Sequence, residues 1–210
     1  MTSPEVRLVA TPEGPARTTT TDPAGDPVGT LVLGHGAGGL RWTNDVVAVH
    51  GVMVAAGWRV VLVDQPWRVA ERRIGPRPPA LDAAWVPVLE DVVSRSGGGR
   101  LVTGGRSAGA RVACRTAAAV GADTVVCLSF PLHLPGKPQQ SRAPELAEPP
   151  AHGIPVHVVQ GTTDPFGTPA EIEAVLPPLT TLDVLPGPHS LGHVADRVAA
   201  VVLARLAPGE

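Results

Sequence analysis

From residue 30 onward, two kinds of pattern alternate along the chain. Short runs rich in β-branched and other apolar residues, bounded by glycine or polar turns, occur at 30–33, 59–63, 101–103, 123–128, 155–159 and 181–185. Apolar-rich runs of this length predict buried strands. Between them, at 44–56, 81–94, 107–120, 169–176 and 191–206, apolar positions recur at helical spacing. Strand and helix in strict alternation predict a mostly parallel twisted sheet with helices on both faces. Ahead of residue 30, the segments 6–10 and 18–21 flank Thr11-Pro12-Glu13-Gly14-Pro15, which predicts a leading antiparallel hairpin at the sheet edge.

Two stretches interrupt the alternation. Residues 66–79 are rich in proline and arginine, and residues 131–150 in proline and polar side chains. Both read as long loops, the second too short to serve as more than a minimal lid over a site. With 210 residues, the pattern fits one α/β domain spanning 1–210.

Composition narrows the chemistry. The chain carries 17 basic and 19 acidic residues, a net charge of −2, which gives no electrostatic footprint for nucleic acid or an anionic membrane. No apolar run approaches the ~20 residues that span a bilayer, and the first residues lack a basic segment followed by an apolar one. A soluble, cytoplasmic protein is expected. There is no tyrosine and a single lysine, Lys137, so lysine phosphate loops, Schiff bases and Tyr–Lys dehydrogenases have almost nothing to work with. No Cys/His cluster has zinc-finger spacing, and neither cofactor nor metal is expected. Cys114 and Cys127 sit in apolar surroundings and read as buried free thiols.

In open parallel sheets ligands bind beyond the carboxyl ends of the strands, so the residues just after each strand matter. After 101–103 comes Gly105-Arg106-Ser107-Ala108-Gly109, a G-x-S-x-G turn set between a strand and an apolar helix. Such a turn strains the serine backbone and leaves no room for side chains two residues either side. It holds the hydroxyl at a helix N-terminus, where a developing anion is favoured. Ser107 is the candidate nucleophile. A serine needs a base, and the base an orienting acid, in the order Ser, Asp or Glu, His. Asp164 follows the strand at 155–159, and His189 follows the strand at 181–185. His193, in the first turn of the last helix, is the rival base; His50 and His157 read as structural. The oxyanion donors are expected from the amide of Ala108 and from the loop Gly34-His35-Gly36-Ala37-Gly38-Gly39, with Ala37 the choice and Gly38 the reserve.

Gly34, Gly36 and Gly39 also satisfy the dinucleotide fingerprint G-x-G-x-x-G, with Asp64 at the end of the next strand as a ribose-binding acid. Against this, the first helix is predicted to start near Thr43 or Asn44 rather than within the glycines. Asp64 also lies 25 residues past Gly39, and the series Ser107, Asp164, His189 would go unexplained.

Secondary candidates for substrate contact are Arg106, His133, Gly38 and the basic stretch Arg68, Arg72, Arg73, Arg77, for which a solvated loop is favoured over an anion-contacting rim. Trp42, Trp67 and Trp85 could line a pocket or pack in the core.

Several longer pieces carry a family resemblance. They are Gly34-His35-Gly36-Ala37-Gly38, Arg72-Arg73-Ile74-Gly75-Pro76-Arg77-Pro78-Pro79, Gly104-Gly105-Arg106-Ser107, Pro131-Leu132-His133-Leu134-Pro135-Gly136-Lys137-Pro138 and Gln160-Gly161-Thr162-Thr163-Asp164-Pro165-Phe166-Gly167. Together they resemble the compact α/β-hydrolase-like proteins related to dienelactone hydrolases, the group that contains testis-expressed homologues and a chromatin acetyltransferase complex subunit. The resemblance implies the α/β-hydrolase fold and a Ser–His–Asp triad at the positions above, and no particular substrate. Ala108 and Ala110 stand where relatives are expected to carry larger or glycine residues. True dienelactone hydrolases are cysteine-based, so serine at 107 argues against that one activity. The expected function is hydrolysis of a small-molecule ester or thioester through an acyl-enzyme; the alternative is a non-catalytic binding or scaffold module on the same fold.

Overall fold

The computed structural model describes residues 3–38 and 41–207. It opens with a hairpin of β1 (Glu5–Val9) and β2 (Ala16–Thr21). There follow β3 (Gly29–Gly34), α1 (Asn44–Ala55), β4 (Arg59–Asp64), a single turn α2 (Pro66–Val69), α3 (Pro78–Ser96) and β5 (Arg100–Arg106). The second half runs α4 (Ala108–Thr116), β6 (Thr124–Leu128), α5 (Ala143–Ala151), β7 (Val156–Gly161), α6 (Pro169–Glu173) and β8 (Thr180–Leu185). A 3-10 turn at Gly192–Val194 then leads into α7 (Ala195–Leu206).

The eight strands form one sheet in the order β1-β2-β4-β3-β5-β6-β7-β8. β1 and β2 pair antiparallel, as do β2 and β4; every other pair is parallel. The hairpin therefore sits at the edge, as its turn residues predict. Period-two alternation splits the apolar runs between two faces. Leu31 and Leu33 of β3 point to a core shared with Val46, Val49 and Met53 of α1 and Val198 and Val202 of α7. Val32 between them points to the other face, against Trp85, Val88 and Leu89 of α3 and Val112 of α4. A third cluster joins α4 to α5 through Ala110, Ala113 and Leu146.

The two stretches read as loops are shorter than expected, because each contains helix. Residues 66–79 hold α2 and the start of α3, and residues 131–150 hold most of α5. Proline at the first helical positions suits all three: its fixed φ and missing N–H cost nothing there, and Pro66, Pro78 and Pro144 occupy such positions. α5 is then held by charge rather than by a long apolar stripe. Arg111 of α4 makes a bidentate pair with Glu145, and Arg115 bridges Glu145 and Asp82 of α3. Conversely, α4 ends at Thr116 and α6 at Glu173, short of their apolar patterns. No helix among the described residues is long and apolar enough to cross a membrane.

Candidate active site

β5 passes into α4 through a turn whose tightness is visible at two glycines. A Cβ on Gly105 would collide with the Gly34 carbonyl, and one on Gly109 would collide with the same backbone. Only glycine lets β3 and α4 approach this closely. At the apex Ser107 has φ 53° and ψ −108°, a strained conformation for a side chain-bearing residue. The Ser107 N–H donates to the Leu128 carbonyl at 2.9 Å, which ties the apex to β6. The half-buried hydroxyl stands at the N-terminus of α4.

His189 lies in the loop after β8. Its Nε2 is 2.9 Å from Ser107 Oγ and its Nδ1 is 2.8 Å from Asp164 Oδ2. An ionised carboxylate only accepts, so Nδ1 carries the proton and Nε2 is left to accept from the serine hydroxyl. Asp164 has no exposed surface, and three donors compensate its burial. Oδ1 accepts from the Phe166 N–H at 2.9 Å, and Oδ2 accepts from Gln160 Nε2 at 2.9 Å as well as from the imidazole. The Phe166 ring packs on the imidazole with centroids 4.3 Å apart. Sequence reasoning missed Gln160 and Phe166. The signal for Gln160 was an amide directly after Val158 and Val159, at a fully buried position near the end of β7.

The segment after β3 is irregular, and α1 begins only at Asn44. The glycines at 34, 36 and 38 therefore open no helix, which removes the N-terminus on which a dinucleotide pyrophosphate would rest; Gly39 lies outside the described residues. Asp64 is likewise engaged, by Arg17 at 2.6 Å and Arg68 at 3.2 Å. His35 anchors the segment. The Gln65 N–H donates to His35 Nε2 at 3.1 Å, so Nδ1 bears the hydrogen and donates to the Gly36 carbonyl at 2.8 Å. Burial lowers the His35 pKa to about 4, with the Gly36 hydrogen bond opposing and nearby Arg68 assisting. Its ring sits edge-on to Trp42 and Trp67.

Ala37 and Ala108 both line a cavity of about 300 Å³, walled by Trp67, Leu81, Trp85 and Val112. Arg73 also reaches this cavity. Gly38 lines a smaller recess with Trp42, while Arg72 is exposed and lines neither. Trp42 instead packs under the Arg68 guanidinium, 4.7 Å from the ring centre.

Two expected substrate contacts have other occupations. Arg106 Nη2 donates to the His189 carbonyl at 3.0 Å, and its Nε lies 3.5 Å from the fully buried Asp45 carboxylate at the start of α1. Arg106 thus braces the histidine loop rather than reaching the cavity. His133 is buried, with Nδ1 on the Leu134 carbonyl at 2.9 Å and Nε2 3.2 Å from Glu171, and it does not line the cavity. His193 is exposed in its 3-10 turn, with its ring against Gly187 rather than in the Ser107–His189–Asp164 series. His50 and His157 bond to Thr21 and Thr181 hydroxyls. The two thiols are free and buried, with sulfurs 3.5 Å apart; the contact with Cys127 and burial push the Cys114 pKa up. No cluster of His, Cys, Asp or Glu among the described residues could hold a metal ion.

Solved structures with similar architecture include serine hydrolases and esterases. A serine hydrolase homologue from Coxiella burnetii superposes with a TM-score of 0.80 over 99% of both chains at 16% identity. A serine hydrolase without lid from Xanthomonas campestris does so at 0.73, covering 100% of this chain and 98% of the other at 18% identity. Est1E from Butyrivibrio proteoclasticus gives 0.75 over 97% and 99% at 15% identity. At these identities the likeness is one of fold. Among curated proteins no sequence match is found. A family model described as an alpha/beta hydrolase domain matches residues 27–196, four-fifths of the chain, from the strand before the glycine segment to the start of α7, and the chain belongs to the alpha/beta hydrolase family.

Proposed function

We propose that this protein is a serine hydrolase that cleaves a small ester or thioester. The observation that carries the reading is the unbroken hydrogen-bonded series from Ser107 Oγ through His189 to the buried Asp164. Ser107 Oγ attacks the substrate carbonyl carbon while its proton passes to His189 Nε2. The carbonyl π pair moves onto oxygen, where the Ala37 and Ala108 amides receive it. Asp164 stabilises the imidazolium and holds its orientation. Collapse expels the alcohol or thiol, which takes the proton from Nε2, and leaves the acyl group on Ser107. Water, deprotonated by His189, then releases the acid and restores the serine.

Solved relatives named serine hydrolases support the reaction class. The resemblance to the dienelactone-hydrolase-related group implies no particular substrate, and the serine nucleophile sets this chain apart from dienelactone hydrolysis itself. A cytoplasmic setting accords with the two free, closely spaced thiols. The test is labelling with a fluorophosphonate probe: wild type is labelled, and Ser107→Ala and His189→Ala are not. Unlabelled, well-folded wild type would instead identify a non-catalytic scaffold.

A further inference from the structure

The cavity beside the nucleophile has a size, a chemistry and a direction. Direction comes from the tetrahedral intermediate. Its carbon has four substituents: Ser107 Oγ, the oxyanion toward the Ala37 and Ala108 amides, the leaving group and the acyl carbon. The leaving group must face His189 Nε2, which gives it a proton. The acyl carbon therefore takes the remaining direction. The cavity touches Ala37 and Ala108, and its walls come from the β3 loop, α2, α3, α4 and the segment between α2 and α3; no residue of the Asp164 or His189 loops belongs to it.

Its size is about 300 Å³, at the low end for ligand pockets. At roughly 30 Å³ per water this is space for about ten non-hydrogen atoms. Its inner wall is Trp67, Leu81, Trp85 and Val112, all buried or half-buried. Among the described residues no carboxylate lines it, and the Arg111 guanidinium at its side is already paired with Glu145. The indole nitrogens of Trp67 and Trp85 and Gln65 Oε1 have no hydrogen-bond partner and no exposed surface, so these residues turn carbon to an occupant and the lining as a whole is mostly apolar. Toward solvent stands Ile74, 83% exposed.

We infer that this cavity is the acyl site, and that it selects an uncharged, apolar acyl group of about six to ten carbons. The inference rests on the proposed hydrolase activity. Burying each further methylene gains roughly three- to fourfold in kcat/KM, a gain that ends when the cavity is full.

The experiment is a p-nitrophenyl ester series (acetate, octanoate, hexadecanoate, benzoate and the anionic hemisuccinate) with wild type, Leu81→Trp and Leu81→Ala. Octanoate and benzoate should exceed acetate by tenfold or more in kcat/KM, and hexadecanoate and hemisuccinate should fall below octanoate. Leu81→Trp, which fills the cavity, should lower the octanoate-to-acetate ratio at least fivefold. Leu81→Ala should shift the optimum to a longer chain. The ratio is internal to each variant, so loss of folded protein does not move it. A flat series, a preference for hemisuccinate, or a ratio moved the same way by both variants overturns the acyl-site assignment. Absence of fluorophosphonate labelling in wild type overturns the hydrolase reading instead, so the two failures are told apart.

Discussion

The two flanks of Ser107 are built on opposite principles. On the His189 side the polar atoms that hold the imidazole are committed, while Gln160 Oε1 stays buried without a partner. Asp164 has three donors, the imidazole has a partner at each nitrogen, and Gln160 Nε2 faces the Phe130 carbonyl at 3.2 Å, Asp164 at 2.9 Å and the Gly167 carbonyl at 2.8 Å. On the cavity side the indole nitrogens of Trp67 and Trp85 and Gln65 Oε1 lack partners, and the surface is mostly carbon. The contrast follows from what each flank must do. Charge develops on the imidazole in the transition state, and prearranged partners stabilise it without reorganising. A substrate's hydrocarbon asks only for displaced water, which is not directional.

The largest effect should come from breaking the committed flank at its acid. In Asp164→Asn the amide keeps the volume, but its NH₂ must face either the Phe166 N–H or the pair formed by Gln160 and His189 Nδ1. The imidazole is then driven to the wrong tautomer, and kcat should fall on the order of 10⁴-fold, as when the acid of a Ser-His-Asp triad becomes its amide. KM for octanoate ester should hardly move, because the cavity is untouched. Equal losses in both parameters would mean that the flanks are not separable.

The second prediction concerns His35 on the cavity flank, which ties the segment after β3 to the end of β4 by bonding to Gly36 and Gln65. Folded, it stays neutral down to about pH 4; unfolded, it takes a proton near 6.5. Between these values the unfolded state binds more protons, so stability falls as pH falls. The stabilisation is fully present above pH 6.5 and is lost as pH drops through 4, a change of roughly 3 kcal/mol. His50 and His157, also lowered by burial, add to the slope. The comparison of wild type with His35→Asn in denaturant titrations at pH 7.5 and 4.5 isolates the one group: the variant should start less stable and lose less. Parallel losses would show that His35 does not carry the effect.

Third in size is the brace from Asp45 through Arg106 to the His189 carbonyl. Arg106→Met removes the hydrogen bond and leaves a buried carboxylate without its cation, so stability and turnover should both drop, kcat about tenfold. The double variant Arg106→Met, Asp45→Asn neutralises the stranded charge. Stability should then recover while kcat stays low, because the carbonyl is still unbraced. Recovery of both would make Arg106 a structural residue only.

Legibility in the sequence followed the same divide. Strands β3 to β7 stand out as short runs rich in buried apolar residues, β8 at the sheet edge is interrupted by Asp183 and only partly buried, and the glycines at 105 and 109 mark a close approach that no side chain survives. Ser107, Asp164 and His189 could be ordered because each follows a strand. The supports could not. Gln160, Phe166 and Asp45 act through tertiary distances that local spacing does not encode, and Arg106 and His133 looked like ligand contacts because their partners, Asp45 and Glu171, are remote in sequence. α5 was hidden by its prolines, since its hold on α4 comes from Glu145 and two arginines rather than from an apolar period.

The smallest effect should separate two adjacent arginines on the cavity flank. Arg73 lines the cavity and Arg72 does not, although both are exposed and share one loop. A guanidinium in high dielectric beside an apolar opening gives little attraction to a neutral ester and a modest one to an anion. Arg73→Ala should therefore lower kcat/KM for the hemisuccinate ester two- to threefold and leave octanoate within experimental scatter. Arg72→Ala should leave both unchanged. The ratio of anionic to neutral turnover, measured at low and at 0.5 M salt, decides the matter, since screening should erase the Arg73 effect. If Arg72→Ala matched Arg73→Ala, the whole basic loop would be acting as a diffuse field, and the cavity edge would end short of Arg73.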